Sequence, residues 1–92
     1  MTKFIRKEHE IEAIQITHEF MREAKYREID SADAVVELTW DGKLMIETCH
    51  YNDHYDMSRH DFGVWVVVDE HGLSWAVTDE EFKEKYFTEE AA

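Results

Sequence analysis

The stretch from residue 34 to residue 49 reads A-V-V-E-L-T-W-D-G-K-L-M-I-E-T-C, and it decides the fold class. Val36, Leu38 and Trp40 alternate with polar residues, as expected for a strand with one buried face. The same alternation resumes after the pair Asp41-Gly42. Because an Asp-Gly pair accommodates the positive φ angles of a type I′ turn, the stretch predicts a β-hairpin.

A second hairpin is predicted nearer the end of the chain. An apolar run at residues 64–68 is followed by the turn sequence D-E-H-G at residues 69–72. Leu73, Trp75 and Val77 then alternate with smaller or polar residues. This order of strand, turn and strand is the usual signal of an antiparallel pair.

The segment at residues 11–16 is predicted to be a strand with apolar residues on both faces. Ile11 and Ala13 lie on one side, and Ile14 and Ile16 lie on the other. We therefore expect this strand either to be covered on both faces or to bend.

Two short helices are predicted from their capping residues. The hydroxyl of Thr17 can cap a helix that ends near residue 27. The sequence T-D-E-E at residues 78–81 is a capping box, and Phe82 and Tyr86 form the apolar stripe of the helix that follows. The element order is then β-α-β-β-β-β-α. This order predicts a single α+β domain over residues 1–92, with an antiparallel sheet of about five strands in two hairpins and both helices packed on it.

Composition excludes several classes of function. The 92 residues include 22 acidic and 10 basic side chains, which gives a formal charge of −12. Such a charge argues against direct binding to nucleic acid or to an anionic membrane. The single cysteine excludes a disulfide framework, and the chain has no P-loop, nucleophile elbow or dinucleotide-binding glycine motif. We therefore expect a protein that is not an enzyme and that needs no cofactor.

The polar segment at residues 49–61 is the densest cluster of chemically active side chains. His50 and His54 are four residues apart, so on a helix both could bind one metal ion, with His60 as a further candidate ligand. The alternative is a polar, partly exposed connection between strands, which the Asn, Asp and Tyr residues favour. Cys49 ends an alternating strand and is predicted to be a small core residue.

The same segment is the predicted partner-binding surface. Aromatic side chains in a polar segment resemble the hot spots of protein interfaces. The candidate residues here are Tyr51, Asp53, Tyr55, Asp56, Arg59, Asp61 and Phe62.

A row of carboxylates is a second candidate for partner binding. Glu8, Glu10 and Glu12 share one strand face and repeat every ~6.7 Å. That repeat is about two base steps of a nucleic-acid strand. The row could therefore mimic nucleic acid toward a basic protein, whereas the alternative is an acidic surface that only keeps the protein in solution.

Four motifs lie near the two ends of the chain. They are R-K at residues 6–7, I-E-A-I-Q at residues 11–15, G-x-W-V-V-x-D-x-x-G at residues 63–72 and W-x-V-T-D-E-x-F-x-x-x-Y at residues 75–86. Together these motifs resemble those of a group of small tailed-phage accessory proteins. The chain departs from the Pro-Gly-Asp-Tyr-Gly turn of that group near residue 63.

The resemblance implies a phage accessory protein that acts in the cytoplasm of the host. Together with the small size and the acidity, it predicts binding to a host or defence-system protein with a basic surface, for example as an inhibitor of a restriction or CRISPR complex. A homodimer is a further expectation, because a sheet of five strands must leave edges. The alternative function is a small metal-binding domain or metalloenzyme that uses His50, His54 and His60.

Overall fold

The protein forms two antiparallel sheets in the computed structural model, which describes residues 2–6, 9–51, 54–85 and 87–88. One sheet has the strand order β8-β7-β2-β1-β9 and the other has the order β3-β4-β5-β6. The strands are β1 Thr2–Arg6, β2 His9–Gln15, β3 Tyr26–Ile29, β4 Ala34–Leu38, β5 Leu44–Tyr51, β6 His54–His60, β7 Trp65–Val68, β8 Ser74–Val77 and β9 Phe87–Thr88. A 3-10 turn covers Asp30–Ala32, and one α-helix, α1, covers Asp79–Lys85.

The predicted α+β class is wrong, because the described chain is mostly β-structure with two sheets and one short α-helix. The prediction and the structure differ most at the predicted first helix. Thr17 does act as a cap, since its Oγ1 accepts a hydrogen bond from the Phe20 N–H at 3.2 Å. The turn nevertheless ends near Met21, and residues 26–29 pair with β4 instead. Pairing with β4 supplies the backbone hydrogen bonds that a longer helix would have supplied.

The strand at residues 11–16 is covered on both faces, as predicted. Ile11 and Ala13 pack in a cluster with Phe82 of α1, and Ile16 lies in the core between the two sheets. The observed strand is β2, and it pairs with β1 on one side and with β7 on the other. The sequence analysis did not predict β1.

Both predicted hairpins are confirmed, but the turn of the first is not of the predicted type I′. In the first, Gly42 has a φ of +82°, and Asp41 is not among the described residues with a positive φ. The Gly42 N–H donates to the Thr39 carbonyl at 3.1 Å, and Thr39 N–H donates to the Lys43 carbonyl at 2.9 Å. This pattern is a three-residue loop that ends in a left-handed glycine.

The second hairpin repeats this loop. The Gly72 N–H donates to the Asp69 carbonyl at 3.2 Å, and Asp69 N–H donates to the Leu73 carbonyl at 3.0 Å. Gly72 has a φ of +81°. The same local geometry therefore closes both hairpins.

The capping box at residues 78–81 is also confirmed. The Glu81 N–H donates to Thr78 Oγ1 at 3.2 Å, and the Phe82 N–H donates to the Thr78 carbonyl at 2.9 Å. Phe82 is buried and stacks on Trp65 with ring centroids 3.8 Å apart. Tyr86, the other residue of the predicted stripe, lies outside the described residues.

The elements stack in three layers. Helix α1 covers one face of the five-stranded sheet, and the four-stranded sheet covers the other. The core between the sheets contains fully buried residues from both, among them Val36, Leu44, Ile46 and Val66. The far face of the four-stranded sheet has no layer over it in the described part of the chain.

Candidate partner-binding face

The far face of the four-stranded sheet, called the open face here, carries the residues that alternate with the core positions. Strand register aligns these residues in two rows across the four strands. The first row is Tyr26, Glu37, Met45 and Arg59, and the second row is Glu28, Val35, Glu47 and Met57.

Apolar side chains on the open face are exposed to an unusual degree. Met57 is 63% exposed and Tyr26 is 53% exposed, at opposite edges of the sheet. Between them, Val35 and Met45 help to line a shallow groove of about 130 Å³. In both rows apolar residues alternate with charged ones, and exposed apolar side chains of this kind are typical of a surface that binds another protein.

Trp40 lies in the β4–β5 turn, next to the first row. Its side chain is 97% exposed, so the prediction of a place in a buried strand face is wrong. The strand ends at Leu38, and the three-residue loop takes Trp40 out of the sheet. Tryptophan is among the residue types most often found at interface hot spots.

The open face is acidic. It carries the carboxylates of Glu28, Glu37 and Glu47 and one guanidinium, that of Arg59. Arg59 is paired with Asp41 of the β4–β5 turn, with Nη1 3.2 Å from Oδ2. The hydrogen bond from the Thr39 hydroxyl, together with Arg59, lowers the pKa of Asp41 and keeps this partner ionised. The face therefore favours a partner that carries basic groups.

Three of the predicted partner-binding residues lie on β6. Arg59 belongs to the open face, and Tyr55 lies at its margin, 44% exposed. The Tyr55 hydroxyl donates to Asp33 Oδ2 at 2.8 Å, a bond that crosses β5 at the level of Cys49. Asp56 is exposed on the same strand. Cys49 is buried, as predicted.

The remaining predicted residues of this segment are dispersed. Asp61 follows β6 and forms an ion pair with Lys43. Phe62 is half-buried and stacks on His18, with ring centroids 3.8 Å apart, so it packs against the body of the protein. Tyr51 ends β5, and Asp53 lies outside the described residues.

The predicted carboxylate row lies on the other sheet. Glu10 and Glu12 belong to β2, which lies between β7 and β1, and Glu8 lies outside the described residues. Glu12 is half-buried and pairs in register with Val68. Glu12 and the residues of the open face therefore lie on different sheets.

The histidine candidates for a metal site lie on one long hairpin, not on a helix or in a loop. His50 is on β5, and His54 and His60 are at opposite ends of β6. Six residues of strand separate His54 from His60 by ~20 Å, too far for both to bind one ion. No group of three or more metal-binding side chains occurs among the described residues.

His60 is held in a local hydrogen bond. Its Nε2 lies 2.7 Å from Ser58 Oγ, and burial lowers its pKa although the carboxylates of Asp61 and Glu81 oppose the shift. A serine–histidine pair acts in nucleophilic catalysis when an acid orients the histidine. The Asp61 carboxylate, which is next in sequence, is bonded to the Lys43 ammonium.

A cleft of about 380 Å³ lies beside His60 and the start of α1. Its main polar group, the Asp79 carboxylate, accepts a hydrogen bond from Trp65 Nε1 at 2.9 Å and pairs with Lys83 at 3.0 Å. These two contacts lower the pKa of Asp79. Gln15 Nε2 bonds the Gly63 carbonyl at 3.0 Å in the same place. These groups join the helix to the sheet, which is a structural role.

No family model, curated protein or solved structure matches this chain. The resemblance to tailed-phage proteins therefore stays a prediction from sequence motifs. None of the described helices has the length and apolar character needed to cross a membrane.

Sequence reasoning missed the open face itself. Its residues were visible in the first hairpin as the positions that alternate with the core, namely Val35, Glu37, Met45 and Glu47. The missing information was that β3 and β6 extend this hairpin into a four-stranded sheet, which places Tyr26 and Met57 at its two edges.

Proposed function

We propose that this protein is a binding module without catalytic activity, and that it acts by docking its open face on a protein with a basic surface. The observation that carries the proposal is the exposure of Tyr26 and Met57 on a sheet face that also presents three carboxylates. Trp40, exposed in the β4–β5 turn that follows the Glu37 end of β4, is included in the proposed surface. Apolar groups supply the affinity of such an interface, and the charges select the partner and speed the encounter.

The spacing of the carboxylates suits several basic side chains rather than one. Glu28 and Glu47 lie in one row on strands that are separated by β4, so their Cα atoms are ~10 Å apart. Glu37 lies on β4 in the next row, ~8 Å from each of them by the same strand geometry. A partner segment with two or three lysine or arginine residues can therefore meet all three carboxylates while its apolar residues contact Val35 and Met45.

The identity of the partner follows from the motif resemblance alone. We propose that the protein is a tailed-phage accessory protein and that its partner is a host or defence-system component, for example a restriction or CRISPR complex. Nucleic-acid mimicry by the row at Glu8, Glu10 and Glu12 is a narrower proposal. It requires that neutralising this row weakens binding more than neutralising the open face does.

The test is affinity capture from a lysate of the natural host, followed by titration of the purified partner. Trp40→Ala should weaken binding at least tenfold, as expected for a hot-spot residue. The double variant Glu37→Gln, Glu47→Gln should mainly slow association, and binding of the native protein should weaken steeply as salt is added.

The matched control is Glu80→Gln, Glu84→Gln, which removes the same charge from α1 on the opposite side of the molecule. Its affinity should stay within about twofold of the native value at physiological salt, where charges beyond a Debye length are screened. If both double variants weaken binding equally, the net charge of the protein controls binding and the open face does not. If Trp40→Ala also binds normally, the proposed site is wrong.

A further inference from the structure

Strand β6 is one edge of the four-stranded sheet, and in the described part of the chain it pairs only with β5. It is seven residues long and contains no proline. Met57, at its centre, is 63% exposed. A long edge strand without a proline or a covering segment is a template for pairing with another strand.

The charge of β6 differs from that of the rest of the protein. Its sequence H-Y-D-M-S-R-H contains one acid, Asp56, and one base, Arg59, so its formal charge is zero with neutral histidines. The whole chain carries −12. Two copies of the protein repel each other, and an edge that adds no charge of its own is a favourable place for them to meet.

The order of residues along β6 is close to symmetric about Met57. Histidines occupy both ends, Tyr55 and Arg59 are each two residues from the centre, and Asp56 and Ser58 flank it. We propose that a second copy of the chain binds here, with the two β6 strands antiparallel and Met57 opposite Met57 of the second copy. The proposal does not depend on the identity of the partner that docks on the open face.

This register places compatible residues opposite each other. Tyr55 lies opposite Arg59 of the second copy, an arrangement in which the guanidinium can stack on the ring. The two Met57 side chains meet on the two-fold axis, where both lose exposed apolar surface. Asp56 lies opposite Ser58 of the second copy, which places a hydrogen-bond acceptor opposite a donor.

The pairing would double the open face. Antiparallel strands of one sheet are related by an axis perpendicular to that sheet, so both open faces point to the same side. The product is a sheet of eight strands with two copies of the partner-binding surface. Seven-residue strands bury less than the ~1,000 Å² typical of stable interfaces, so we expect a dissociation constant in roughly the micromolar to millimolar range.

Sedimentation equilibrium of the purified full chain tests the proposal over a range of protein concentrations. The native protein should form a dimer, and added salt should strengthen the dimer because it screens the repulsion between two acidic chains. Met57→Lys and Met57→Glu should each weaken it at least tenfold, since each places two like charges on the axis. An equimolar mixture of the two variants should restore a heterodimer, because the axis then holds opposite charges.

The matched control is Tyr26→Lys, which adds the same charge to the same face at the other edge of the sheet. It should dimerise like the native protein, and circular dichroism should show that all variants are folded. A native protein that stays monomeric at all concentrations would overturn the proposal and leave the edge to a strand of another protein. Dimerisation that is unaffected by Met57→Lys, or variants that stay monomeric when mixed, would overturn it too.

These outcomes are separate from those of the proposed function. Dimerisation is measured without a partner and should strengthen with salt, whereas docking of a basic partner should weaken with salt. Failure of one therefore leaves the other intact.

Discussion

Neighbouring residues on β5 should lose very different amounts of stability on truncation, because one faces the core and the other lies on the open face. Ile46 is fully buried between the two sheets, and Met45 is half-buried on the open face. We expect Ile46→Ala to destabilise the protein strongly and Met45→Ala to destabilise it little. The pair thus tests whether the four-stranded sheet has one covered and one open face.

The expected losses follow from burial. Ile46→Ala removes three carbon atoms, which costs ~2.4 kcal/mol at ~0.8 kcal/mol for each buried carbon. The cavity left in a core closed on both sides raises the loss to about 3–4 kcal/mol. For Met45→Ala, half-burial limits the loss to about 1 kcal/mol. A domain of this length has a total stability of about 5–14 kcal/mol, so the first variant loses a large part of it.

The assay is urea unfolding at 25 °C, followed by circular dichroism and by tryptophan fluorescence. Ile46→Ala should lower the midpoint strongly with an unchanged slope, and thermal unfolding should show a Tm lower by about 12–25 °C. Met45→Ala should unfold close to the native midpoint. Equal losses for the two variants, or a loss below about 1 kcal/mol for Ile46→Ala, would refute the two-layer arrangement.

Two further predictions concern a turn and a histidine. Gly72→Ala should lower the free energy of unfolding by about 1 kcal/mol, because a residue with a side chain is strained at a φ of +81°. The strain comes from the backbone, since a Cβ placed at this position would have no atom within 4 Å. In the same urea assay Gly72→Asn should lower the free energy of unfolding by less, because asparagine tolerates a positive φ better than alanine. Burial lowers the pKa of His60, so the unfolded state takes up the proton first as the pH falls below 6.5. The free energy of unfolding should therefore decrease below that pH. His60→Asn should remove this part of the decrease when unfolding is measured from pH 8 to pH 5. Equal pH profiles for the variant and the native protein would contradict the prediction.

Several parts of the fold could be predicted because their signals are local. The turn glycine Gly72 and the cap at Thr78 each act within a few residues, and both stand where the sequence predicts them. The double-faced pattern of Ile11 and Ile14 predicted a strand that is either covered on both sides or bent, and the structure has it covered on both sides. Even so, the turn type was wrong, because Asp-Gly suits both a type I′ turn and the three-residue loop that is observed.

The candidate site was predicted only in part. β6 residues such as Tyr55 and Arg59 are predicted from their chemical type, and these lie on or beside the open face. Tyr26 was not predicted, because the cap at Thr17 predicts a helix through that position. His54 and His60 were also grouped as candidate ligands, since the polar residues around them favour a loop or an irregular connection and conceal the regular strand β6.

The sequence by itself determined the two hairpins, the capped helix, the overall negative charge and the apolar residues on both faces of β2. These depend on contacts between residues close in the chain, or on alternation that any partner layer must respect. The tertiary structure decided that residues 26–29 join β4 as a strand and that two sheets pack face to face with one outer face uncovered. Those outcomes depend on which distant strands pair, and pairing is selected by the total burial of the assembled core rather than by any local preference.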